Sequence, residues 1–583
     1  MQNNTHKSPF LKMSFPLNVY AQALLLEEGQ AEYLHYGLFK DDTTTIQDAQ
    51  RHSTELILKQ LPPPPCRILE VGIGLGTTLK LLTDMGYQIQ GITPDIEQVN
   101  YIQTQWDNKA PISDLSFENF AAEPNSFDVI LLQESAQYID PLVIFNQALD
   151  YLTDSGSLII LDEFSLMQKE PGQDNLHFLK DILLLASRFG FKLEEKIDLS
   201  KLAPATLDYL LKIIQKHQRQ LMSDLQLPAE QLDQLNNSNR LYKEKYTREQ
   251  YGYALLHFKK GKYPKWRLKH FDKQYFEKIQ VLFEDSFNQP VSANFWQWKY
   301  LSGHAPELCI WEANTLVAHY GGIPRDILFF SESQKAIQIG DVMVHPQQRG
   351  ILTRSGAFFR MAATFLERYI GFGRPFLLGF GFPNERAMKV AEHLGLYTEV
   401  GKMHEISWPT SSSRPRLVSC LRFIDKNNAH QFSHIIDSLW QAMAHDLRNA
   451  IVGVRDYAYL LNRYLNHPHR SYSIFVVKNR ITNNPYGIVI LDIKDQRCDI
   501  LDIISPIKNI PLLIVYAKRF AALNHCEQLF CQITDNFSSY FQTKHSHTEV
   551  MDIRIPSNIW TTGPQPETLK NCWWLMAGDM DFR

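Results

Sequence analysis

A run of residues suited to cofactor chemistry begins at Arg67. The stretch 67–76 reads RILEVGIGLG, in which an apolar segment carries Glu70 near its end and is followed by Gly72, Gly74 and Gly76. Glycine lets the backbone turn tightly, and a ligand can approach it without meeting a Cβ atom. A helical pattern follows through 79–82, so the glycines lie between a predicted strand and a predicted helix. That context is typical of a cofactor-binding turn.

The elements that position this turn alternate along the chain. Strands are predicted at 67–71, 88–92, 127–132 and 157–162, with helical patterns between them. Such alternation favours a parallel sheet with crossover helices. The stretch 205–245 predicts a helical cap over a pocket, and YGYALLHF at 251–258 predicts a closing strand.

The glycine motif resembles the first motif of the class I S-adenosylmethionine-dependent methyltransferases, an acidic residue followed by G-x-G-x-G. The resemblance implies that Glu70 lies near the methionine amino group and that Gly72, Gly74 and Gly76 pass along the cofactor. A nicotinamide or flavin site is the alternative. It expects G-x-G-x-x-G, whose third glycine would fall on Thr77. The methyltransferase interpretation is favoured.

The resemblance covers about residues 20–262 and is similar to the branch that contains cyclopropane-fatty-acid synthases and small-molecule N-methyltransferases. The sequence GITPDIEQ at 91–98 places Thr93 where most class I enzymes have an acidic ribose ligand. A threonine hydroxyl makes only a neutral contact, so Gln98 is expected to help. Asp95 is either part of this site or the N-cap of the next helix. Asn119 is either the adenine ligand or a loop residue.

Two further segments supply candidate site residues. The fourth strand of the family's count ends at Gln133, Glu134 and Tyr138, where ligands of such sheets bind. Gln133 is a candidate cofactor ligand, and Glu134 and Tyr138 are weak catalytic candidates. Upstream, Tyr33 is expected to fold over the cofactor. His35 is a general-base candidate because imidazole titrates near neutrality, and its alternative is a structural role.

A second chemical motif lies in the middle of the chain. A strand predicted at 336–346 leads into QQRGILTR at 347–354, expected to open a helix, and a polar turn at a helix N-terminus exposes backbone N–H groups to an anion. The turn resembles the pyrophosphate loop Q/R-x-x-G-x-G/A of the GNAT acyltransferases, and the stretch 384–396 also matches that family. The resemblance implies that acetyl-CoA or another acyl-CoA is bound by Val344, Arg349, Gly350, Leu352 and Thr353.

Two departures from the GNAT pattern leave the activity of this region open. Leu352 stands where glycine or alanine is expected, and Ala391 stands where many members have the tyrosine that protonates the CoA thiolate. Tyr397 is nearby in the sequence but out of alignment. The alternatives are an acyltransferase and a GNAT-shaped binding or scaffold module.

The rest of the chain repeats the element order of this region. An aromatic segment precedes two strand-like runs at both 295–323 and 459–492, which suggests a tandem repeat. The predicted domains are 1–262, a methyltransferase domain with a helical cap; 263–413, a GNAT-like domain; and 414–583, a degenerate second GNAT-like domain. The expected fold class is α/β, with a Rossmann-like methyltransferase domain followed by two GNAT-like α/β domains.

Composition narrows the class of protein. The 583 residues are 44% hydrophobic and 21% charged, which is a globular composition, and the net charge of -4 disfavours a nucleic-acid binder. No apolar run approaches the ~20 residues of a membrane span. Seven scattered cysteines without a CxxC pair argue against a disulfide framework or a zinc site. The N-terminus lacks a signal-peptide pattern, so a cytoplasmic location is expected.

The function expected from these observations is a bifunctional transferase. It would transfer a methyl group to a small metabolite or biosynthetic intermediate, and an acyl group from acyl-CoA. The alternative is a methyltransferase whose GNAT-like halves are a non-catalytic binding or scaffold module.

Overall fold

The computed structural model describes residues 8–41, 43–167, 176–300, 305–351, 353–413 and 418–580. The chain divides into two compact units, Met1–Lys269 (unit 1) and His270–Arg583 (unit 2). Within the described ranges, no helix combines the length and the apolar character that a bilayer span needs.

Unit 1 is built on one mixed sheet with strand order β3-β2-β1-β4-β5-β7-β6. The neighbours from β3 to β5 are parallel, and β7 runs antiparallel to both β5 and β6. The strands are β1 Arg67–Val71, β2 Gln88–Ile92, β3 Ile112–Ser113, β4 Phe127–Gln133, β5 Leu152–Ser165, β6 Phe191–Asp198 and β7 Tyr251–Lys260.

Helices connect and cover these strands. They are α1 Leu17–Glu28, α2 Ile46–Leu58, α3 Thr77–Asp84, α4 Ile96–Gln105, α5 Pro141–Tyr151, α6 Leu179–Arg188, α7 Ala205–Lys216, α8 Gln218–Asp224 and α9 Ala229–Thr247. Asp95 caps α4, because its side chain accepts a hydrogen bond from the Glu97 amide at 3.0 Å. The α/β fold class expected from the sequence is confirmed.

The centre of this sheet is apolar on both faces. In β4, Val129, Ile130, Leu131 and Leu132 are all fully buried. Continuous apolar strands are typical of parallel sheets covered by helices on both sides. Packing on both faces fixes the positions of these strands. Glu70 and Gln133 lie at the carboxyl ends of β1 and β4.

Unit 2 contains two sheets. Its helices are α10 Phe276–Phe287, α11 Ala293–Lys299, α12 Ala357–Tyr369, α13 Glu385–His393, α14 Ser433–Asp446, α15 Tyr457–Leu460, α16 Ile510–Leu523 and α17 Pro566–Leu569. After β8 Arg267–His270 at the junction, its strands are β9 Glu307–Glu312, β10 Thr315–Phe329, β11 Glu332–Val344, β12 Leu378–Phe380, β13 Tyr397–Pro409, β14 Ser419–Ile424, β15 Ile451–Gly453, β16 Ser473–Asn479, β17 Pro485–Lys494, β18 Arg497–Ile504, β19 Gln528–Thr534, β20 His547–Asn558 and β21 Trp573–Trp574.

The two halves of unit 2 repeat one order of elements. In each half, two helices precede three antiparallel strands, and a further helix leads to a strand parallel to the third. The first half uses α10, α11, β9–β11, α12 and β12. The second uses α14, α15, β16–β18, α16 and β19.

The two sheets also exchange strands across the predicted boundary at 413/414. One sheet has the order β12-β11-β10-β15-β21, with β9 also on β10. The other has the order β14-β16-β17-β18-β19-β13-β20, so β13 of the first half lies between two strands of the second. The division into domains 263–413 and 414–583 stays a prediction, and the structure groups both into one unit.

Candidate functional site

A cavity of about 580 Å³ lies at the carboxyl ends of β1, β2 and β4 in unit 1. The glycine turn after β1 forms one wall, and the segment around Tyr33 forms another. Helices α7 and α9 contribute Leu210 and Leu235 to the lining. The sequence predicted this helical stretch over a pocket, and α9 also contributes Ser238, Asn239 and Tyr242 to the lining.

Glu70 is buried in the cavity wall without a partner for one of its oxygens. The residue is 2% exposed, and Oε2 has no hydrogen-bond partner among the described residues. Burial raises the pKa of Glu70 to about 8, because the low-dielectric surroundings disfavour the charged form. A positively charged amino group in the cavity would satisfy this oxygen and favour its ionised form.

The three motif glycines serve different purposes. All have positive φ: 81° at Gly72, 53° at Gly74 and 79° at Gly76. A Cβ atom would lie 2.5 Å from the Ser135 Cβ at Gly72, and 2.9 Å from Ile102 at Gly76. At Gly74 its nearest neighbour would be Leu34, 4.0 Å away. Close packing therefore requires Gly72 and Gly76, while Gly74 leaves the cavity open for a ligand.

The polar residues expected around the cofactor lie along the same wall. Thr93 and Gln98 are buried and line the cavity, and the Thr93 hydroxyl donates to Gln98 Oε1 at 2.8 Å. Gln133 Oε1 accepts from the Thr78 hydroxyl at 3.3 Å, whereas its Nε2 has no partner among the described residues. Gln133 therefore offers a buried donor to a ligand.

Asn119 does not reach the cavity. It is exposed, and its amide nitrogen donates to the Ser116 hydroxyl at 3.1 Å. Ser116, Phe117 and Glu118 line the cavity instead. Asn119 ends a single 3₁₀ turn, and it is not among the described residues that line the cavity.

Tyr33 and His35 both line the cavity, but they differ in how well they suit the roles expected from the sequence. Tyr33 is buried against His35, with ring centroids 4.7 Å apart. His35 Nδ1 lies 3.0 Å from the Tyr36 carbonyl and Nε2 lies 3.4 Å from the Thr54 hydroxyl. Burial lowers the pKa of His35 to about 4. Its ring is neutral at physiological pH and both nitrogens face protein atoms.

The two catalytic candidates after β4 differ in exposure. Glu134 accepts hydrogen bonds at Oε1 from the Tyr36 amide and from the Tyr253 hydroxyl, both at 2.6 Å. Its φ of 55° is a strained conformation for a non-glycine residue. Tyr138 is 73% exposed at the edge of the cavity. Of the two, only Glu134 is held firmly toward the ligand space.

Several lining residues were not expected from the sequence. They are Tyr20, Tyr36, Glu163, Asn239 and Tyr242. The available signal was positional, because Glu163 follows the apolar run of β5 just as Glu134 follows that of β4. The contributions of α1 and α9 carry no comparable signal, since helix packing decides which of their faces meets the cavity.

In unit 2 the predicted acyl-CoA turn is a loop that precedes α12. The helix begins at Ala357, after a 3₁₀ turn at Pro346–Gln348, so the segment 345–356 contains the predicted turn, with 345–351 and 353–356 described. Leu352 lies outside the described residues. Gly350 is exposed, and a Cβ atom there would meet nothing within 4 Å. A Cβ atom at Gly356 would lie 2.1 Å from the Ile351 carbonyl, so Gly356 closes the turn.

The side chains of this loop are suited to an anion. The sequence between Asp341 and Glu367 contains arginines and hydroxyls but no carboxylate. Arg349 is exposed and its Nε donates to the Val344 carbonyl at 2.7 Å, so part of its guanidinium is fixed by the loop itself. Thr353 is exposed and its hydroxyl lies 2.7 Å from that of Ser355.

The structure also places Ala391, which stands where many GNAT members have the tyrosine that protonates the CoA thiolate, and Tyr397, which is nearby in the sequence. Ala391 is buried on α13. Tyr397 lies on β13, and its hydroxyl is hydrogen-bonded to that of Tyr320 on β10. Burial raises the pKa of both phenols, so both are protonated at neutral pH.

A second cavity of about 280 Å³ lies within unit 2, between its two halves. Its lining carries charges of both signs among aromatic rings, from Arg325, Asp326, Phe380, Asp456, Arg463 and Trp573. Behind it, the fully buried Arg455 donates to Asp502 at 2.9 Å and to Asp579 at 2.6 Å. This ion cluster fixes one wall of the cavity.

Two family models match the chain. The methyltransferase domain family matches residues 69–160. The acetyltransferase (GNAT) domain family matches residues 267–389. No curated protein matches the sequence.

Several solved structures are similar to parts of the chain. The cyclopropane synthase MmaA2 from Mycobacterium tuberculosis is 15% identical, with a TM-score of 0.37, and covers 44% of this chain and 95% of its own. The geranyl diphosphate C-methyltransferase from Streptomyces coelicolor is 12% identical, with a TM-score of 0.31, and covers 39% and 91%.

A conserved protein of unknown function from Enterococcus faecalis, described as a "Probable N-Acyltransferase", is 14% identical, with a TM-score of 0.41, and covers 52% of this chain and 74% of its own. The two family models place the glycine turn of unit 1 and the loop of unit 2 within their matched ranges. These matches support a transferase: residues 69–160 match a methyltransferase domain, and residues 267–389 match a GNAT acetyltransferase domain.

Proposed function

We propose that this chain is a bifunctional transferase. Unit 1 transfers a methyl group from S-adenosylmethionine to a small molecule, and unit 2 transfers an acyl group from acyl-CoA. The observation that supports the first activity best is the unpartnered Oε2 of Glu70, buried beside the open Gly74. This oxygen matches a cationic amino group, and the turn beside it accepts a ligand against the backbone.

The cavity residues fit S-adenosylmethionine group by group. Glu70 would hold the amino group, and the methionine part of the cofactor would pass beside Gly74. Thr93 and Gln98 would face the ribose. Ser116 and Phe117, rather than Asn119, would face the adenine, because they line the cavity. When bound, the cofactor supplies a methyl group on a positively charged sulfur.

The protein's own contribution to methyl transfer is alignment and removal of a proton. Glu134 is held by two hydrogen bonds at the end of β4, and one of them comes from Tyr253 on β7, which lies beyond β5 from Glu70 in the sheet. A carboxylate fixed in this way can accept a proton from the acceptor group. His35 is a poor base, because burial lowers its pKa to about 4.

For unit 2, we place CoA at the loop 345–356 and the acyl acceptor in the 280 Å³ cavity. Backbone N–H groups and Arg349 would bind the pyrophosphate. The second half would complete the acceptor site, because Asp456, Arg463 and Trp573 line that cavity. A binding module without turnover is the second candidate, favoured by the alanine at position 391 where a proton donor is expected.

Titration of the full-length protein with S-adenosylhomocysteine by calorimetry tests the first activity. Gly74→Asp is expected to lose measurable binding, because its side chain enters the ligand space. Gly29→Asp is the matched control: Gly29 has a φ of 75° and open space around its Cβ position, at the end of α1. Both variants share the strain of a positive φ, about 1 kcal/mol. Equal affinity in the two variants contradicts the assignment.

A further inference from the structure

One end of the unit 1 cavity is made by residues that the cofactor assignment does not use. This acceptor end comprises Tyr36, Glu134, Glu163 and Asn239, over β4, β5 and α9. Strands in a sheet are about 4.8 Å apart, so Glu134, at the end of β4, lies one strand from Glu70 on β1, and Glu163, on β5, lies two strands from it. The carboxyl ends of β4 and β5 form one side of this part of the cavity, and α9 forms another.

The described lining of the whole cavity is rich in carboxyl groups. It contains the carboxylates of Glu32, Glu70, Asp95, Glu118, Glu134 and Glu163, and no lysine or arginine. A ligand of net negative charge would meet repulsion on entering, whereas the cofactor, whose carboxylate is accompanied by an ammonium group, would not. A ligand that carries a positive charge would be attracted, and burial strengthens that attraction.

Glu134 is oriented for such a ligand. Its Oε1 is held by the Tyr36 amide and the Tyr253 hydroxyl, and both of these partners are neutral. Burial, followed by the nearby Glu163 and Asp162 carboxylates, raises the pKa of Glu134 well above its usual value. An ammonium group beside the carboxylate would relieve this penalty, because an opposite charge favours the ionised form.

Aromatic rings surround the same end. Tyr36 lines the cavity and stacks on Tyr253, with ring centroids 5.8 Å apart and planes 13° apart. Tyr20 and Tyr242 line it from α1 and α9. Tyrosine faces attract organic cations, so rings and carboxylates together form a site for an alkylammonium group.

Asn239 gives an independent indication of a ligand. It is 5% exposed and lines the cavity from α9. Its Oδ1 accepts from the Tyr20 hydroxyl at 2.9 Å, which fixes the amide, while Nδ2 has no partner among the described residues. A buried donor without a partner costs about 1–3 kcal/mol, so a ligand that brings an acceptor oxygen is expected here.

We propose that the methyl acceptor of unit 1 is a small organic amine, cationic at neutral pH, that also carries an oxygen atom. Its ammonium group lies beside Glu134, and its oxygen accepts a hydrogen bond from Asn239 Nδ2. One N–H bond of the ammonium breaks and an O–H bond forms on Glu134, which leaves the electron pair on nitrogen as the nucleophile. This inference rests on the proposed methyltransferase function and specifies its substrate class.

The test uses the full-length protein saturated with S-adenosylhomocysteine, and calorimetry with four probes at millimolar concentration. 2-(Methylamino)ethanol carries the ammonium and the oxygen. Its isostere 2-methoxyethanol lacks the charge, N-methylpropylamine lacks the oxygen, and decanoate is an anionic lipid-like probe. We expect the first to bind most tightly and the neutral isostere and decanoate not to bind.

Variants assign the contacts. Glu134→Gln and Glu163→Gln should each weaken binding of 2-(methylamino)ethanol about tenfold, whereas Glu55→Gln, an exposed site on α2, should not. Asn239→Ala should make the two amines bind equally. Unchanged affinity for S-adenosylhomocysteine shows that each variant is folded.

The outcomes separate the two proposals. If S-adenosylhomocysteine does not bind the wild-type protein, the proposed function fails. If it binds but decanoate or 2-methoxyethanol is preferred over the amine, the proposed function stands and the amine substrate is wrong. Amine binding that Glu134→Gln and Glu163→Gln both leave unchanged also overturns the inference.

Discussion

At the scale of single residues, Glu70 couples ligand binding to stability. Burial holds its pKa at about 8, compared with an ordinary value of 4.5. Below pH 4.5 the carboxyl is protonated in both folded and unfolded chains, and its stabilising contribution is complete. Between these values the unfolded chain ionises first, so the contribution falls and is lost as pH rises through about 8. Glu70→Gln should remove this dependence and give a more stable unit 1 at pH 8.

The same variant should bind S-adenosylhomocysteine at least about tenfold more weakly, because a charge-assisted hydrogen bond to the amino group becomes neutral. Thermal unfolding of wild type and Glu70→Gln from pH 5 to 9, followed at the transition that the ligand shifts, measures the difference. All other titrating groups cancel in that difference. Parallel stability profiles for the two proteins would show that Glu70 does not titrate as described.

Some of the site residues can be identified from the sequence, and others cannot. Glu70 and Gly74 are found from the motif, because backbone geometry dictates residue types at a strand-to-helix turn. His35 and Asn119 are chosen by residue type alone. The structure places the nitrogens of His35 against protein atoms and Asn119 outside the cavity. Which way a loop side chain points depends on tertiary packing.

At the scale of elements, the loop 345–356 is decisive for unit 2. Gly350→Glu places a carboxylate in the open space where we place the pyrophosphate, so we expect CoA affinity to fall about tenfold or more through charge repulsion. Asn427→Glu adds the same charge at an exposed position in the turn after β14 and should leave CoA affinity unchanged. Competition with a fluorescent CoA analogue measures both. Equal affinities would remove the loop from the CoA site.

Some element boundaries are set by the local sequence, and others by contacts with distant parts of the chain. β1 and β2 have the predicted bounds, since apolar runs between turn signals define them. β6 was not predicted, because Phe191–Asp198 is a polar edge strand that its partner β7 stabilises. α12 begins at Ala357, directly after the tight turn at Gly356, and the loop sequence alone does not define this first residue.

At the scale of the whole molecule, strand exchange decides which pieces of the chain fold. β13 lies between β19 and β20, and β15 with β21 extends the sheet of β10. A fragment 270–413 would expose the edge of β10 at Ile327–Phe329, which β15 covers, and would leave β13 without the strands it pairs with. We therefore expect 1–269 and 270–583 each to give a cooperative unfolding transition, and 270–413 to be unfolded or aggregated.

Circular dichroism and calorimetry of the three fragments check this expectation, with S-adenosylhomocysteine raising only the transition of 1–269 and CoA only that of 270–583. A ligand shifts the transition of the unit that binds it by an amount set by its concentration relative to Kd. A folded, CoA-binding 270–413 would mean that the second half is an independent domain, as the sequence division at 413/414 implies. If 270–413 neither folds nor binds CoA, the first half needs strands of the second half to complete its sheet.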